Sequence, residues 1–113
     1  MDGPRITTAI PQRRYQIGEY VATVLGEIES PDPPNYRYIL AAVKEGDAQP
    51  SLYVTAERRR RGDFDYRLRL IMEGLSDTMA ESDDFGELDA FCETALKVVR
   101  KALRLGDEEA MLL

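Results

Sequence analysis

Residues 17–29 read IGEYVATVLGEIE, and the architecture turns on whether this segment is helix or strand. Ile17, Tyr20, Val21, Val24, Leu25 and Ile28 recur at the spacing of one helical face. Against a helix stand two internal glycines, a wealth of β-branched residues, and no Ser, Thr, Asp or Asn before Ile17 to cap a first turn. Read as a strand, the segment puts Tyr20, Ala22, Val24 and Ile28 on one face. The turn-rich SPDPPN that follows leads straight into another strand-like run, so the strand is adopted. A helix here would make the order α-β-β-β-α.

Downstream, YRYILAAVKEG (36–46) and SLYVTAERRR (51–60) are rich in Tyr, Val, Ile and Thr and separated by GDAQP. YRLRLIMEG (66–74) alternates cleanly, with Leu68, Leu70 and Met72 on one face and Arg67, Arg69 and Ile71 on the other. RGDFD (61–65) is short enough to close an antiparallel hairpin between the last two runs. The C-terminal third reads as helix. Asp84 and Glu87 resemble a capping box, and Leu88, Phe91, Cys92, Ala95, Val98, Val99, Ala102 and Leu103 form one apolar stripe. Asp89 and Glu93 lie near its positive end, Lys97, Arg100, Lys101 and Arg104 near its negative end, and Gly106 is placed to stop it.

The expected fold is therefore α+β: a four-stranded antiparallel meander (β-β-β-β-α) with one helix of about 21 residues packed on one face. Residues 1–14 read as a flexible N-terminal arm in which ITTAI could add a short edge strand. Residues 15–106 read as the domain and 107–113 as a tail, either frayed or a helical extension that docks. At the level of topology alone the meander resembles single-strand-binding folds of four strands and a helix. The α-first order resembles the double-stranded-RNA-binding fold, and neither likeness fixes a function.

Composition narrows the chemistry. The 113 residues hold 15 Lys+Arg against 21 Asp+Glu, a net charge of -6, which favours solubility and disfavours nonspecific adhesion to nucleic acid or anionic lipid. There is no histidine, so the commonest general base near neutral pH is missing, and with it His triads and most zinc sites. No glycine-rich phosphate loop occurs. Cys92, the one cysteine, lies on the apolar stripe, where it acts as a small hydrophobe rather than a nucleophile. The carboxylates of ESDDFGELD (81–89) lack the register of a calcium loop and suit a helix N-terminus instead. The RGD at 61–63 and the terminal EEAMLL are read as coincidental matches to adhesion and sorting patterns. No apolar run nears the ~20 residues of a membrane span, and the N-terminus lacks the pattern of a signal peptide. A cytoplasmic, non-enzymatic protein without cofactor, metal or small-molecule substrate is the expectation.

That leaves the sheet face opposite the helix. With Leu68, Leu70 and Met72, Leu52, Val54 and Ala56, and Ile39, Ala41 and Val43 assigned to the core, the open face receives Tyr36, Tyr38, Tyr53, Thr55, Arg67 and Arg69, bordered by Arg58–Arg61. The candidate binding residues are Tyr36, Tyr38, Tyr53, Arg59, Arg61, Arg67 and Arg69. Tyrosine beside arginine suits a protein interface, a stacking platform for single-stranded nucleic acid, or plain cross-strand packing. Acidity and open sheet edges favour protein contact, with a homodimer expected and nucleic acid the alternative. Arg67 and Arg69 lie outside the core on this reading, so their removal should spare folding.

Overall fold

The computed structural model describes residues 3–31, 35–59 and 62–113. Seven strands, β1 (Thr8–Ile17), β2 (Tyr20–Glu29), β3 (Tyr36–Lys44), β4 (Leu52–Arg58), β5 (Tyr66–Met72), β6 (Leu75–Glu81) and β7 (Ala110–Leu112), form one antiparallel sheet in the order β6-β5-β4-β3-β2-β1-β7. A 3₁₀ turn at Asp83–Gly86 and one helix, α1 (Leu88–Ala102), stand between β6 and β7. The α+β class holds, but the four-stranded meander and its α-first alternative are both overturned: β1, β6 and β7 complete a seven-stranded sheet.

The segment 17–29 is strand, entered through a tight hairpin. Ile17 pairs with Tyr20 across Gly18 and Glu19, and Gly18 takes φ 57, a left-handed value that costs glycine nothing. Its helix-like spacing arises because β2 is apolar on both faces: Ala22 and Val24 point at the core, while Val21 and Leu25 face the other way. Near its end Glu27 adopts φ 46, and the register against β1 slips there, so two residues of β2 oppose one of β1.

The strands that escaped the pattern each hide for a physical reason. β1 contains Pro11, which sits beside a bulge and in the stretch flanked by β2 alone, where a strand tolerates a missing N–H. β6 is an edge strand, almost wholly exposed, and its sequence LSDTMAE carries no apolar alternation to read. It follows β5 through the two-residue turn Glu73–Gly74, with Gly74 at φ 74. β7 stands in place of the frayed tail or helical extension expected at the C-terminus, its residues pairing as a strand with Tyr15, Gln16 and Ile17 of β1.

The helix is 15 residues rather than about 21. Its expected capping box does not form. Ser82 instead accepts the Asp84 N–H at 3.1 Å, and Glu87 donates its N–H to the Asp84 carbonyl, so a 3₁₀ turn replaces the first helical turn and drives Phe85 into the core. At the other end the reversal occurs at Arg104 (φ 55), two residues before Gly106. Leu105 N–H reaches the Arg100 carbonyl at 2.9 Å, the 6→1 bond of a Schellman ending. Phe91, Cys92, Ala95, Leu96, Val98 and Val99 are buried against Leu52, Val54 and Ala56 of β4 and Leu68 and Leu70 of β5.

In β3 the register is opposite to expectation. Tyr38, Leu40 and Ala42 enter the core, and Ile39, Ala41 and Val43 face away. YILAAV is apolar at every position, so alternation cannot say which half faces the helix. The side is decided by α1: the Tyr38 ring stacks on Phe91, centroids 5.3 Å apart, with the Arg37 guanidinium 4.6 Å above it.

Candidate functional site

The sheet face away from α1 is organised in rows set by the strand register. Thr23, Ala41, Tyr53 and Ile71 stand side by side; next come Leu25, Ile39, Thr55 and Arg69; then Tyr36, Glu57, Arg67 and Glu81. Much of this face is not exposed at all. Ile39, Thr55 and Glu57 are 0% accessible. The N-terminal segment accounts for part of the cover. Thr7 N–H bonds the Glu29 carbonyl at 2.8 Å, and Gly3 lies so close to the Tyr53 ring that a Cβ there would stand 2.4 Å from Cε2. The N-terminal segment thus reaches from beside the end of β2 to the Tyr53 side chain of β4. Glycine at position 3 is what allows that approach.

The chemical centre of this face is Glu57, which is not among the candidate binding residues. Its Oε1 receives the Arg67 Nε at 3.0 Å and Nη2 at 2.9 Å. Its Oε2 receives the Thr55 hydroxyl at 2.8 Å and stands 2.8 Å from Arg69 Nε, whose N–H is aligned on no acceptor, so that contact is ionic in character. A carboxylate with no access to water costs several kcal/mol unless charges and donors replace its hydration, and here two guanidiniums and a hydroxyl do so. Thr55 and Glu57 share a face of β4 two residues apart; Arg67 and Arg69 do the same on β5, directly opposite. That complementary i, i+2 spacing in adjacent strands is the signal that could have found the cluster. Arg59 is engaged in the same way, Nη1 lying 2.5 Å from Glu81 Oε2.

The predicted binding residues are therefore scattered. Tyr38 is in the core, 5% exposed, and not on the open face. Tyr36 and Tyr53 are half-buried and sit four residues of β4 apart, about 13 Å. Tyr36 lines a cavity of about 450 Å³ with Glu27, Asn35 and Arg58, whereas Tyr53 lines another of about 430 Å³ with Gln49, Pro50 and Glu73. Arg59, Arg67 and Arg69 each have a carboxylate partner, and Arg61 lies outside the described residues, as does Arg60. Arg67 and Arg69 consequently hold a buried group in place, and the expectation that their loss spares folding does not fit their contacts. Val21, Thr23 and Val43 line a cavity of about 300 Å³ on the same face, together with Arg14, Lys44, Glu45 and Asp47.

On the helix side, Cys92 is 2% exposed beneath Tyr15. Burial pushes both the Cys92 thiol and the Tyr15 phenol up, so the thiolate needed of a nucleophile is suppressed near neutral pH. Arg13 bridges the Tyr15 hydroxyl, at 3.3 Å, and the Asp89 carboxylate, contacts that raise its pKa and tie β1 to the start of α1. Among the described residues no group of three or more Cys, Asp or Glu side chains could hold a metal ion, and no helix is long and apolar enough to cross a membrane. No protein-family model matches the chain, and neither a curated protein nor a solved structure is significantly similar to it.

Proposed function

We propose that this chain is a small non-catalytic binding domain that works by protein–protein contact through its sheet and associates with itself. The observation that carries the reading is the charge pairing on the open face. Arg59, Arg67 and Arg69 are matched by Glu81 and the buried Glu57, so these three arginines hold one positive charge in excess between them where a phosphate-binding surface needs several. With Tyr38 in the core and Tyr53 beneath Gly3, the row of aromatics that a single strand would stack on is not assembled. What the surface offers instead is the half-buried Val21 and Val43 beside Thr23, rimmed by charges of both signs, the make-up of a protein interface.

Sedimentation velocity across about 5–200 micromolar protein, at low salt with and without an oligo-dT or oligo-rU strand, tests this. A concentration-dependent shift unaffected by oligonucleotide is expected for an interface of the weak, transient class. Binding of the oligonucleotide that weakens steeply with added salt would replace the reading with a nucleic-acid one.

A further inference from the structure

Three stretches of strand edge stand open among the described residues, and two of them are blunted. β6 has a register shift at Met79 and carries Asp77 and Glu81, the bulge and charges that discourage pairing. The part of β1 that β7 leaves uncovered contains Pro11 and two register shifts, and the Gln12 side chain donates to its own strand's Ile10 carbonyl at 3.2 Å. β7 shows no bulge, proline or charge: it is Ala110, Met111 and Leu112, followed by Leu113, with Met111 61% and Leu112 64% exposed.

The ladder fixes which backbone groups of β7 are open. Leu113 N–H bonds the Arg14 carbonyl of β1 at 2.9 Å, and strand groups alternate in direction. Residues 113 and 111 therefore turn their N–H and C=O toward β1, and Ala110 and Leu112 turn theirs away from the sheet.

We propose that β7 is a self-complementary seam, pairing antiparallel with β7 of a second copy about a two-fold axis through Met111. This rests on the proposed protein-binding role and names its partner and register. With the axis at Met111, Ala110 faces Leu112 of the other copy and the two exchange both of their bonds. The symmetric pair does the same, so four bonds engage every outward-facing group of the strand. Met111 meets its own counterpart in a non-hydrogen-bonded pair, where Cα atoms come within about 4.5 Å and side chains pack most closely. Glu109 falls opposite Leu113 in this register. A β7-to-β6 contact would instead propagate into a filament, and the bulge at Met79 opposes it. Three paired residues on each side make a reversible dimer, burying less than about 1,200 Å². Each copy carries a net charge of -6, so added salt strengthens this association, opposite in sign to the salt response of phosphate binding.

The test joins crosslinking to sedimentation. Met111→Cys places two thiols across the axis at disulfide spacing, with Met79→Cys on β6, also an exposed edge strand though 39% against 61% accessible, as the control. Mild oxidation is expected to turn Met111→Cys into covalent dimer with at least a tenfold excess over Met79→Cys. Leu112→Pro removes an outward N–H that β1 does not use, so its circular dichroism should match the wild type while its dimer Kd rises at least tenfold. A wild-type dimer with no preferential Met111→Cys crosslink, or one that Leu112→Pro leaves unchanged, overturns the seam and leaves protein binding standing. A wild type that stays monomeric to several hundred micromolar and binds no other protein overturns both.

Discussion

Replacing Arg67 by Met keeps most of the side-chain volume and removes both donors to Glu57 Oε1, those at 3.0 and 2.9 Å. Glu57 is 0% exposed and cannot turn to water, so the carboxylate keeps only Arg69 and the Thr55 hydroxyl on its other oxygen. Breaking a buried pair from one side costs about 3–5 kcal/mol, and the surviving Arg69 puts the expectation at the lower end, about 3 kcal/mol. The reverse change is milder. Arg67 and Arg69 have side chains 36% and 24% exposed and can re-solvate, so Glu57→Met should cost about 1–2 kcal/mol. Changing both Glu57 and Arg67 to Met removes the uncompensated charge and should bring the loss back to about 1–1.5 kcal/mol, a coupling of about 2 kcal/mol or more. Urea unfolding with unchanged m-values measures all four corners of the cycle. An Arg67→Met loss below about 1 kcal/mol, or a double mutant no more stable than Arg67→Met, would refute the idea that Glu57 is a charged anchor of this face.

Cys92→Ser should lower stability by about 1–3 kcal/mol, because a hydroxyl replaces a thiol in a site 2% exposed, and the native thiol should resist maleimide. The raised Cys92 thiol makes stability fall at alkaline pH: the unfolded thiol ionises first, near about pH 8.5, so its contribution is intact below that and is lost as pH climbs toward the folded value. Cys92→Ala should flatten the alkaline arm of a Tm-against-pH curve. Arg104→Gly should stabilise by about 0.5–1 kcal/mol by relieving the left-handed turn at the helix end, seen as a higher urea midpoint. Gly3→Val should lift the N-terminal segment off Tyr53, and amide exchange at Thr7 should then quicken while the β3–β4 ladder keeps its protection.

The sequence alone determined those elements in which one face is polar. The stripe from Phe91 to Val99 and the alternation of Leu68 and Leu70 with Arg67 and Arg69 are visible because polar and apolar surroundings select different residues on the two sides. The inward set Leu52, Val54 and Ala56 shows because Tyr53, Thr55 and Glu57 on the other face are polar, although Thr55 and Glu57 are buried. Where both sides are covered, that contrast disappears. β2 and β3 lie between α1 on one face and a partly covered sheet surface on the other, so their apolar runs carry neither a clear period nor a side. Only the Tyr38–Phe91 stack, a contact between residues 53 positions apart, settles the register of β3. β1, β6 and β7 are edge or near-edge strands whose stability comes from a neighbour's backbone, which no side-chain pattern announces. The arginines of β5 are the plainest case. Sequence placed Arg67 and Arg69 correctly on the face away from the helix, but whether they bind a partner or neutralise Glu57 depended on β4 lying opposite in that register, and only the tertiary structure supplies that.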